Sequence, residues 1–417
     1  TLTSAGTYTG STAVNAGVVD VQNATALGTA AGATTVASGA AVQIDGTGLA
    51  IAEPFSIASL GVSSGGALRN LANSNSLTGV ITLTGASRIN SDAGTLTIST
   101  GGITGSAQNL TIGGAGNTTV SSAITTTTGT LTKDGAGTLT LSGTNTYTGT
   151  TTVSAAGSLA LSGGAAIADA GAVNLSVLGA DLTLNAGETI GSLAGVAGST
   201  VNLGANTLTT GDTTNTSFLG AIGGAWCRIT KVGTGTWTLS DLNTYTGKTS
   251  IQNGALSVSS LNSVNGGVPL LASSGLGAPI TDPNGTIDLG NSTTTGMLVY
   301  TGGGEITDRV VNLAGTTGGG TIDQSGTTAL LYFSNPLTAT GAGIKTLTLQ
   351  GSNTGPGAIA GAIVDSASAT SLTKAGSGTW TLSGTNTYTG TTTVSGGSLA
   401  LSGGAAILDA GAVNLST

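Results

Sequence analysis

The shortness of the strand-like segments is the feature that most constrains the fold of this chain. Leu139 and Leu141 flank Thr140, Leu159 and Leu161 form a similar pair, and each couplet is soon followed by glycine, Ala-Gly or an Asn-rich turn. Alternation with a period of two predicts strands that turn one face inward and one face toward water. Strands this short cannot stand as isolated hairpins. They therefore need neighbouring strands stacked on them.

The couplets belong to a repeat with a fixed core and variable spacers. The stretch GTNTYTGTTTV occurs twice, at 143–153 and at 384–394. It contains no ionisable group other than a tyrosine. The repeat cores lie at 131–176, 229–258 and 372–416, and a partial copy opens the chain. Self-similarity on this scale is typical of solenoids.

Two architectures can use such strands, a β-solenoid and a string of β-sandwiches. Sandwiches need longer strands, antiparallel hairpins and a core aromatic in each module, but the chain has three Trp and only 3% aromatic residues. In a solenoid the chain coils round a narrow core, so uneven spacers simply enlarge a coil. We therefore predict an all-β parallel solenoid with roughly 20–25 residues per coil.

For the domain organisation we predict one continuous β-solenoid section over 1–417. The chain opens at Thr1 without a signal peptide and ends at Thr417 inside a repeat, so we expect it to be a section of a longer protein. The region around 262–301 holds Pro269, Pro279 and Pro283. Since proline cannot donate to a strand ladder, we predict a loop-rich, enlarged coil there. It is the best candidate for a protruding recognition surface.

The composition excludes several classes of function. Only 6% of residues are charged, and the net charge is −8, which disfavours binding to nucleic acid or to anionic membranes. No apolar run is long enough to span a membrane as a helix. The chain has no His, so zinc and other soft-metal sites are excluded. Cys227 is the single cysteine, and we expect it to be a small buried hydrophobe.

One group of residues could in principle carry catalysis: Glu305, Asp308 and Arg309. Parallel β-helices include polysaccharide-degrading enzymes, and glycoside hydrolysis needs two facing carboxyl groups. On an extended strand Glu305 and Asp308 would point to opposite faces. We therefore interpret the group as a solvated turn with a local ion pair, and we predict no catalytic, cofactor-binding or metal-binding residues.

Three further patterns favour structural roles. Lys133, Lys231 and Lys374 share one repeat position, where we expect each to lie at a coil edge, keep it soluble and discourage strand addition. The segment around Asn117 has the glycines of a calcium-binding repeat but no aspartate. The Thr-x-Thr strings have the spacing that orders water on ice-binding solenoids, but they are also ordinary outward residues of strands that carry little charge.

The repeat resembles the autotransporter-associated β-strand repeat. The shared pattern is L-T-K-x-G-x-G-T-[LW]-T-L-S-G-x-N-T-Y-T-G, clearest at 131–161, 229–258 and 372–401, and the spacers at 67–85, 188–211 and 304–326 look like those of similar proteins. The resemblance implies a right-handed parallel β-helix, export through the bacterial envelope, and display on or release from the cell surface. Members of the family include adhesins, stalks and enzymes.

From these observations we expect an extracellular, structural and adhesive β-helical rod of a bacterial surface protein that is not an enzyme. Its partners would be surface glycans, host or cell surfaces, or further copies of itself. The first alternative is a filament or sheath subunit that assembles end to end, since an uncapped solenoid end exposes a strand edge. The second alternative is a polysaccharide-degrading enzyme on the same fold. In the duplicated stretch we expect Tyr147 and Tyr388 to be stacking or edge-covering rings.

Overall fold

The computed structural model of the protein describes residues 1–264, 273–327, 329–351, 355–408 and 411–416. These residues form two compact units, Thr1–Asn202 and Leu203–Thr417. Each unit consists of short parallel strands that stack coil upon coil, with almost no helix. The prediction of an all-β parallel solenoid is confirmed. The predicted continuity of one solenoid section over 1–417 stays a prediction.

The first unit has three stacks of parallel strands, which we name sheets 1, 2 and 3. Sheet 1 contains Gly17–Val21, Ala40–Ile44, Leu68–Asn70, Ser87–Ser91, Leu110–Gly113, Leu131–Lys133, Thr151–Val153, Ala172–Leu175 and Ser192–Gly195. Sheet 2 contains Thr12–Val14, Thr34–Val36, Phe55–Ile57, Ile81–Leu83, Ile103–Thr104 and Ile124–Thr125. Sheet 3 contains Ala50–Ile51, Ser74–Leu77, Thr95–Ile98, Asn117–Val120, Leu139–Leu141, Gly157–Leu161, Ala180–Leu184 and Thr200–Asn202. The unit also has a strand at Glu188–Ile190 and a 3-10 turn at Val62–Ser64.

The second unit also has three parallel stacks, sheets 4, 5 and 6. Sheet 4 contains Thr216–Phe218, Thr236–Leu239, Gly254–Val258, Gly296–Tyr300, Gly320–Gln324, Lys345–Gln350, Thr370–Lys374, Thr392–Val394 and Val413–Leu415. Sheet 5 contains Thr207–Thr210, Arg228–Lys231, Thr249–Ile251, Ile287–Leu289, Val311–Leu313 and Thr338–Ala339. Sheet 6 contains Glu305–Thr307, Leu331–Phe333, Gly357–Ile359, Thr379–Leu382 and Ser398–Leu401. A strand at Ala221–Gly223 and a short helix at Asp282–Gly285 complete the unit.

The core of each unit is a narrow column of aliphatic side chains in register. On sheet 3 one inward file consists of Leu77, Ile98, Val120, Leu141, Leu161 and Leu184. All six are buried, whereas the neighbouring outward residue Thr140 is partly exposed. Each coil therefore places an aliphatic side chain directly on the one before it. The inward and outward assignment made from the alternation is confirmed at Leu141 and Thr140.

One coil of the second unit is much longer than the others. Strand Gly254–Val258 pairs directly with Gly296–Tyr300, so the chain between them is an excursion from a single coil. Among its described residues, Ser274 forms an isolated bridge with Asn243, which precedes the excursion. The short helix Asp282–Gly285 and the sheet 5 strand Ile287–Leu289 follow. Pro269, part of the predicted loop-rich region, lies in 265–272 and so outside the described residues. We call the excursion the enlarged coil.

Helices are too short for a membrane span: in the described part of the chain, none is long and apolar enough to cross a bilayer.

The core column generates a first prediction. Leu141→Asp places a carboxylate in the aliphatic file and should cost at least about 4 kcal/mol, because both packing and charge solvation are lost. Thr140→Asp, one residue along the same strand, should change the free energy of unfolding by less than about 1 kcal/mol. Urea unfolding of the two variants, followed by circular dichroism, measures the difference, and equal costs would contradict the assignment.

Candidate functional site

The repeat lysines occupy buried coil corners and bind backbone carbonyls. Lys231 Nζ donates to Val232 O at 2.6 Å, to Gly233 O at 3.0 Å, and to Asn253 O of the next coil at 3.2 Å. Lys374 makes the equivalent three bonds, and Lys133 makes the two within its own turn. All three lysines are at most 2% exposed. The prediction that they lie at solvated coil edges is wrong.

The T-K-x-G-x-G pattern has a local structural reason. In Leu131–Lys133 the register puts Lys133 beside Ile112 and Val153, in an inward file. The chain then turns at Gly135, whose φ is +72°. This backbone conformation would be strained in most residues that have a side chain. At Gly157 an added Cβ would lie 2.9 Å from Lys133 Nζ, so the absence of a side chain there makes room for the ammonium.

Burial lowers the pKa of the Lys231 ammonium to about 8, and the charge of Asp212 partly offsets this. A charged ammonium has three N–H donors, and the corner offers three carbonyl oxygens. The arrangement therefore uses all the donors of the lysine to satisfy backbone acceptors at a turn where the strand ladder is interrupted. Lys345 does the same in another coil, with Gly341 O, Gly343 O and Ser366 Oγ at 2.8–3.0 Å.

The asparagine of the N-T-Y-T-G segment links three successive coils. Asn145 Oδ1 accepts from Ile124 N at 2.7 Å, and its Nδ2 donates to Ala166 O at 2.7 Å, each partner 21 residues away. Asn243 and Asn386 make the same pair of bonds in their own copies. The side-chain amide thus replaces a rung of backbone pairing at a corner. These asparagines therefore satisfy backbone groups of the turns.

The tyrosines of the repeat are core residues. Tyr147 is fully buried, and its hydroxyl lies 2.7 Å from Thr151 Oγ1, four residues along the chain. Tyr245 pairs with Thr249 and Tyr388 with Thr392 at the same distance. Burial raises the pKa of Tyr147 and that of Tyr245, the latter to about 12. The burial of Tyr147 and Tyr388 does not fit the predicted edge-covering role, and the predicted stacking stays a prediction.

Glu305 and Asp308, from the suspected catalytic group, bind residues 261–264, which we call the first limb of the enlarged coil. Glu305 Oε1 accepts from the backbone N–H groups of Leu261 and Asn262 at 2.5 and 3.1 Å, and Asp308 Oδ1 accepts from Val264 N at 2.6 Å. Strand Glu305–Thr307 ends before Asp308. The alternation rule therefore does not apply, and both carboxylates face the same segment.

Arg309 binds residues 274–277, which we call the second limb of the enlarged coil. Its guanidinium donates to Leu276 O at 2.9 Å and Gly277 O at 3.3 Å, and lies 3.4 Å from Ser274 Oγ. The side chain is 2% exposed, and burial lowers its pKa to about 10. The interpretation of Glu305, Asp308 and Arg309 as a solvated turn with a local ion pair is wrong. Arg309 is buried, Glu305 and Asp308 are partly exposed, and the three side chains form a clamp that fixes both limbs through backbone groups.

Two buried glutamates occur in the first unit. Glu188 Oε1 accepts from Ile167 N at 2.8 Å, and Glu53 Oε1 accepts from Thr34 Oγ1 at 2.8 Å. In both residues Oε2 is buried and has no hydrogen-bond partner among the described residues. Burial raises the pKa of each carboxyl above its ordinary value of 4.5.

Glu53 also borders a cavity of about 380 Å³ whose other lining residues are alanine, glycine and threonine. A single carboxyl group among such residues has no second acid or base to work with.

The remaining candidates also have structural positions. The Cys227 thiol is buried and lies 3.2 Å from Gly224 O, as expected for a small core residue. Burial raises its pKa. Asn117 Oδ1 accepts from Thr138 N at 2.9 Å, a bond between coils. Within the described ranges, no group of three or more His, Cys, Asp or Glu could hold a metal ion.

The lysine corner generates a second prediction. Lys231→Met keeps the apolar stem and leaves three carbonyls without a donor, so we expect a loss of at least about 2 kcal/mol in the free energy of unfolding. Lys248→Met is the matched control, because Lys248 Nζ forms a partly exposed ion pair with Asp288 at 2.7 Å. Such a pair contributes less than about 1 kcal/mol. Guanidinium unfolding compares the variants, and a loss for Lys231→Met no larger than that of the control would refute the role.

The buried glutamates generate a third prediction, on pH. Because the folded-state pKa of Glu188 is raised, its contribution to stability is complete below about pH 4.5 and is lost as pH rises through the folded value. We expect Glu188→Gln to melt like the wild type at pH 4 and at a higher temperature at pH 7. Melting curves between pH 4 and 8 test this, and a difference in Tm that does not vary with pH would contradict it.

Comparisons with known proteins agree with this picture of a repeat scaffold. The sequence matches the family described as Passenger-associated-transport-repeat at residues 1–21, 131–165, 229–258 and 372–401. Over 211 residues it is 37% identical to a protein of Brucella suis biovar 1 (strain 1330) named "Adhesin BmaC autotransporter". That alignment covers 48% of this chain and 6% of the relative, so the chain spans only a small part of that protein's length. No solved structure matches.

The repeat matches cover all three lysine corners and the three Asn–Tyr segments described above, which ties the family pattern to the observed coil geometry. The family is that of passenger regions, which are displayed at the cell surface or outside the cell. In its repeats the chain is therefore similar to autotransporter passenger proteins.

Proposed function

We propose that this chain is a non-enzymatic, structural and adhesive segment that presents an extended surface outside the cell. The observation that carries the proposal is the use of its charged repeat residues. The repeat lysines and the clamp formed by Glu305, Asp308 and Arg309 all hydrogen-bond to backbone groups of coil corners or of the enlarged coil. They hold the scaffold in shape and do not converge on a substrate.

The adhesive part of the proposal is supported by the name of the Brucella relative, an adhesin, and by the composition of the outward positions. Outward residues of the sheets are mostly Thr, Ser and Asn, with few charges. Such a surface binds through many weak hydrogen bonds, and its strength depends on the number of contacts made together. A solenoid provides that number because each coil repeats the same outward positions.

A surface-binding assay tests the proposal and forms a fourth prediction. Beads coated with the purified chain should adhere to cell or polysaccharide surfaces more strongly than beads coated with a globular protein of similar net charge. Adhesion should persist at high salt, since exposed charges contribute little. Beads that bind no better than the control would refute the adhesive role, and turnover of any glycan in a degradation screen would refute the non-enzymatic one.

A further inference from the structure

Sheet 3 carries an array of hydroxyl groups with two files. On four consecutive coils the outward pairs are Ser74 and Ser76, Thr95 and Thr97, Asn117 and Thr119, and Thr138 and Thr140, which we call the hydroxyl face. Register pairing places each member beside its counterpart: Thr97 lies beside Ser76 and Thr119, and Thr119 beside Thr140. The variable spacers fall in the turns, so they do not interrupt the array.

The threonine hydroxyls of this face are available for a ligand, whereas Ser76 Oγ donates to Leu49 O at 3.4 Å and Asn117 Oδ1 accepts from Thr138 N. Thr95, Thr97, Thr119, Thr138 and Thr140 are partly exposed, and their Oγ1 atoms make no hydrogen bond to the described residues. By contrast, several threonines in the turns use their hydroxyls internally; Thr78 Oγ1, for instance, donates to Ile51 O. Adjacent coils are about 4.8 Å apart, and the two files are roughly 6.6 Å apart along a strand.

The face is also free of charge. None of its eight residues is ionisable, and the next outward pair on the sheet, Ser158 and Ala160, is also neutral. Beyond that pair, the next coil of sheet 3 carries Asp181, whose carboxylate accepts from the hydroxyls of Ser158, Thr183 and Thr200. Within the coils of the face, Arg69 pairs with Asp92 at 2.6 Å and Arg88 pairs with Asp134, on or beside sheet 1. The charges neutralise one another there, and the hydroxyl face offers nothing to an ionic partner.

We propose that the hydroxyl face binds an extended, uncharged polysaccharide that runs along the stacking direction. In such a polymer every ring presents hydroxyls at its edges, and successive rings advance by a distance similar to the coil spacing. Each ring would exchange hydrogen bonds with one coil, so binding strength grows with the number of rings. A shallow depression of about 180 Å³, bordered by Ser74, Ser76 and Thr97, lies at one end of the face and would receive one ring.

This inference rests on the proposed adhesive function and specifies its ligand. The test uses the full chain and three valine substitutions on the face, Thr97→Val, Thr119→Val and Thr140→Val together. Valine keeps the β-branched shape and removes only the hydroxyl. The matched control makes the same change at three threonines in register on sheet 1, Thr111→Val, Thr132→Val and Thr152→Val together.

The probes are microcrystalline cellulose, a length series of cello-oligosaccharides, and alginate as a charged polymer. We expect the chain to bind cellulose but not alginate, with affinity rising as the oligosaccharide lengthens. The sheet 3 variant should lose at least tenfold in affinity, and the sheet 1 control should retain it. Circular dichroism confirms that both variants are folded.

Three results would overturn the inference: equal loss in both variants, undiminished binding in the sheet 3 variant, or ice shaping by the chain without binding to any polysaccharide. If the wild type adheres to surfaces in the bead assay while the sheet 3 variant binds cellulose normally, only this inference fails. If the wild type adheres to nothing, the proposed function fails as well.

Discussion

Backbone hydrogen bonding at the corners of the coils is the constraint on which the rest of this structure depends. Along the strands the N–H and C=O groups pair with the coil above or below, but at each corner the ladder is interrupted and polar groups are buried near the core. Asn145 supplies both a donor and an acceptor at one corner, and Lys231 supplies three donors at another. The faithful copying of N-T-Y-T-G and T-K-x-G-x-G follows from this need, since few other side chains provide the same groups at the same reach.

The strands could be predicted from the sequence because alternation records burial directly. The lysine corners could have been predicted by the same rule: in Leu131–Lys133 the lysine is two residues after an inward leucine, so parity places it inside. The general rule that lysine side chains are exposed led to the wrong prediction. The carbonyl groups that compensate for the burial of these lysines come from a turn and from the next coil, and the strand pattern does not show them. The Asn and Tyr contacts lacked such a signal, since they join residues of different coils or depend on a corner's path.

The alternation rule gives the wrong prediction at the clamp of Glu305, Asp308 and Arg309 for a different reason. The rule that Glu305 and Asp308 point to opposite sides holds only on a continuous strand, and the strand ends at Thr307. Beyond it, the direction of each carboxylate is set by the limb of the enlarged coil that it holds. The clamp consequently stabilises an excursion that the spacing of the repeats alone does not specify. A buried arginine with backbone carbonyls as partners, as at Arg309, is the type of residue that keeps such a segment in one conformation.

The use of charged side chains inside the coils also bears on the outward surface of this chain, in which only 6% of residues are charged. The repeat lysines bind backbone carbonyls inside the coils. Arg69 and Arg88 form ion pairs with aspartates on or beside sheet 1. Outward positions are therefore mostly hydroxyl and amide groups with a few carboxylates such as Asp181, and the strand ladder sets their spacing. The hydroxyl face carries no charge, so the polysaccharide binding that we propose for it depends on matching a repeat distance. The regularity that the corner residues enforce is thus the property on which the proposed binding depends.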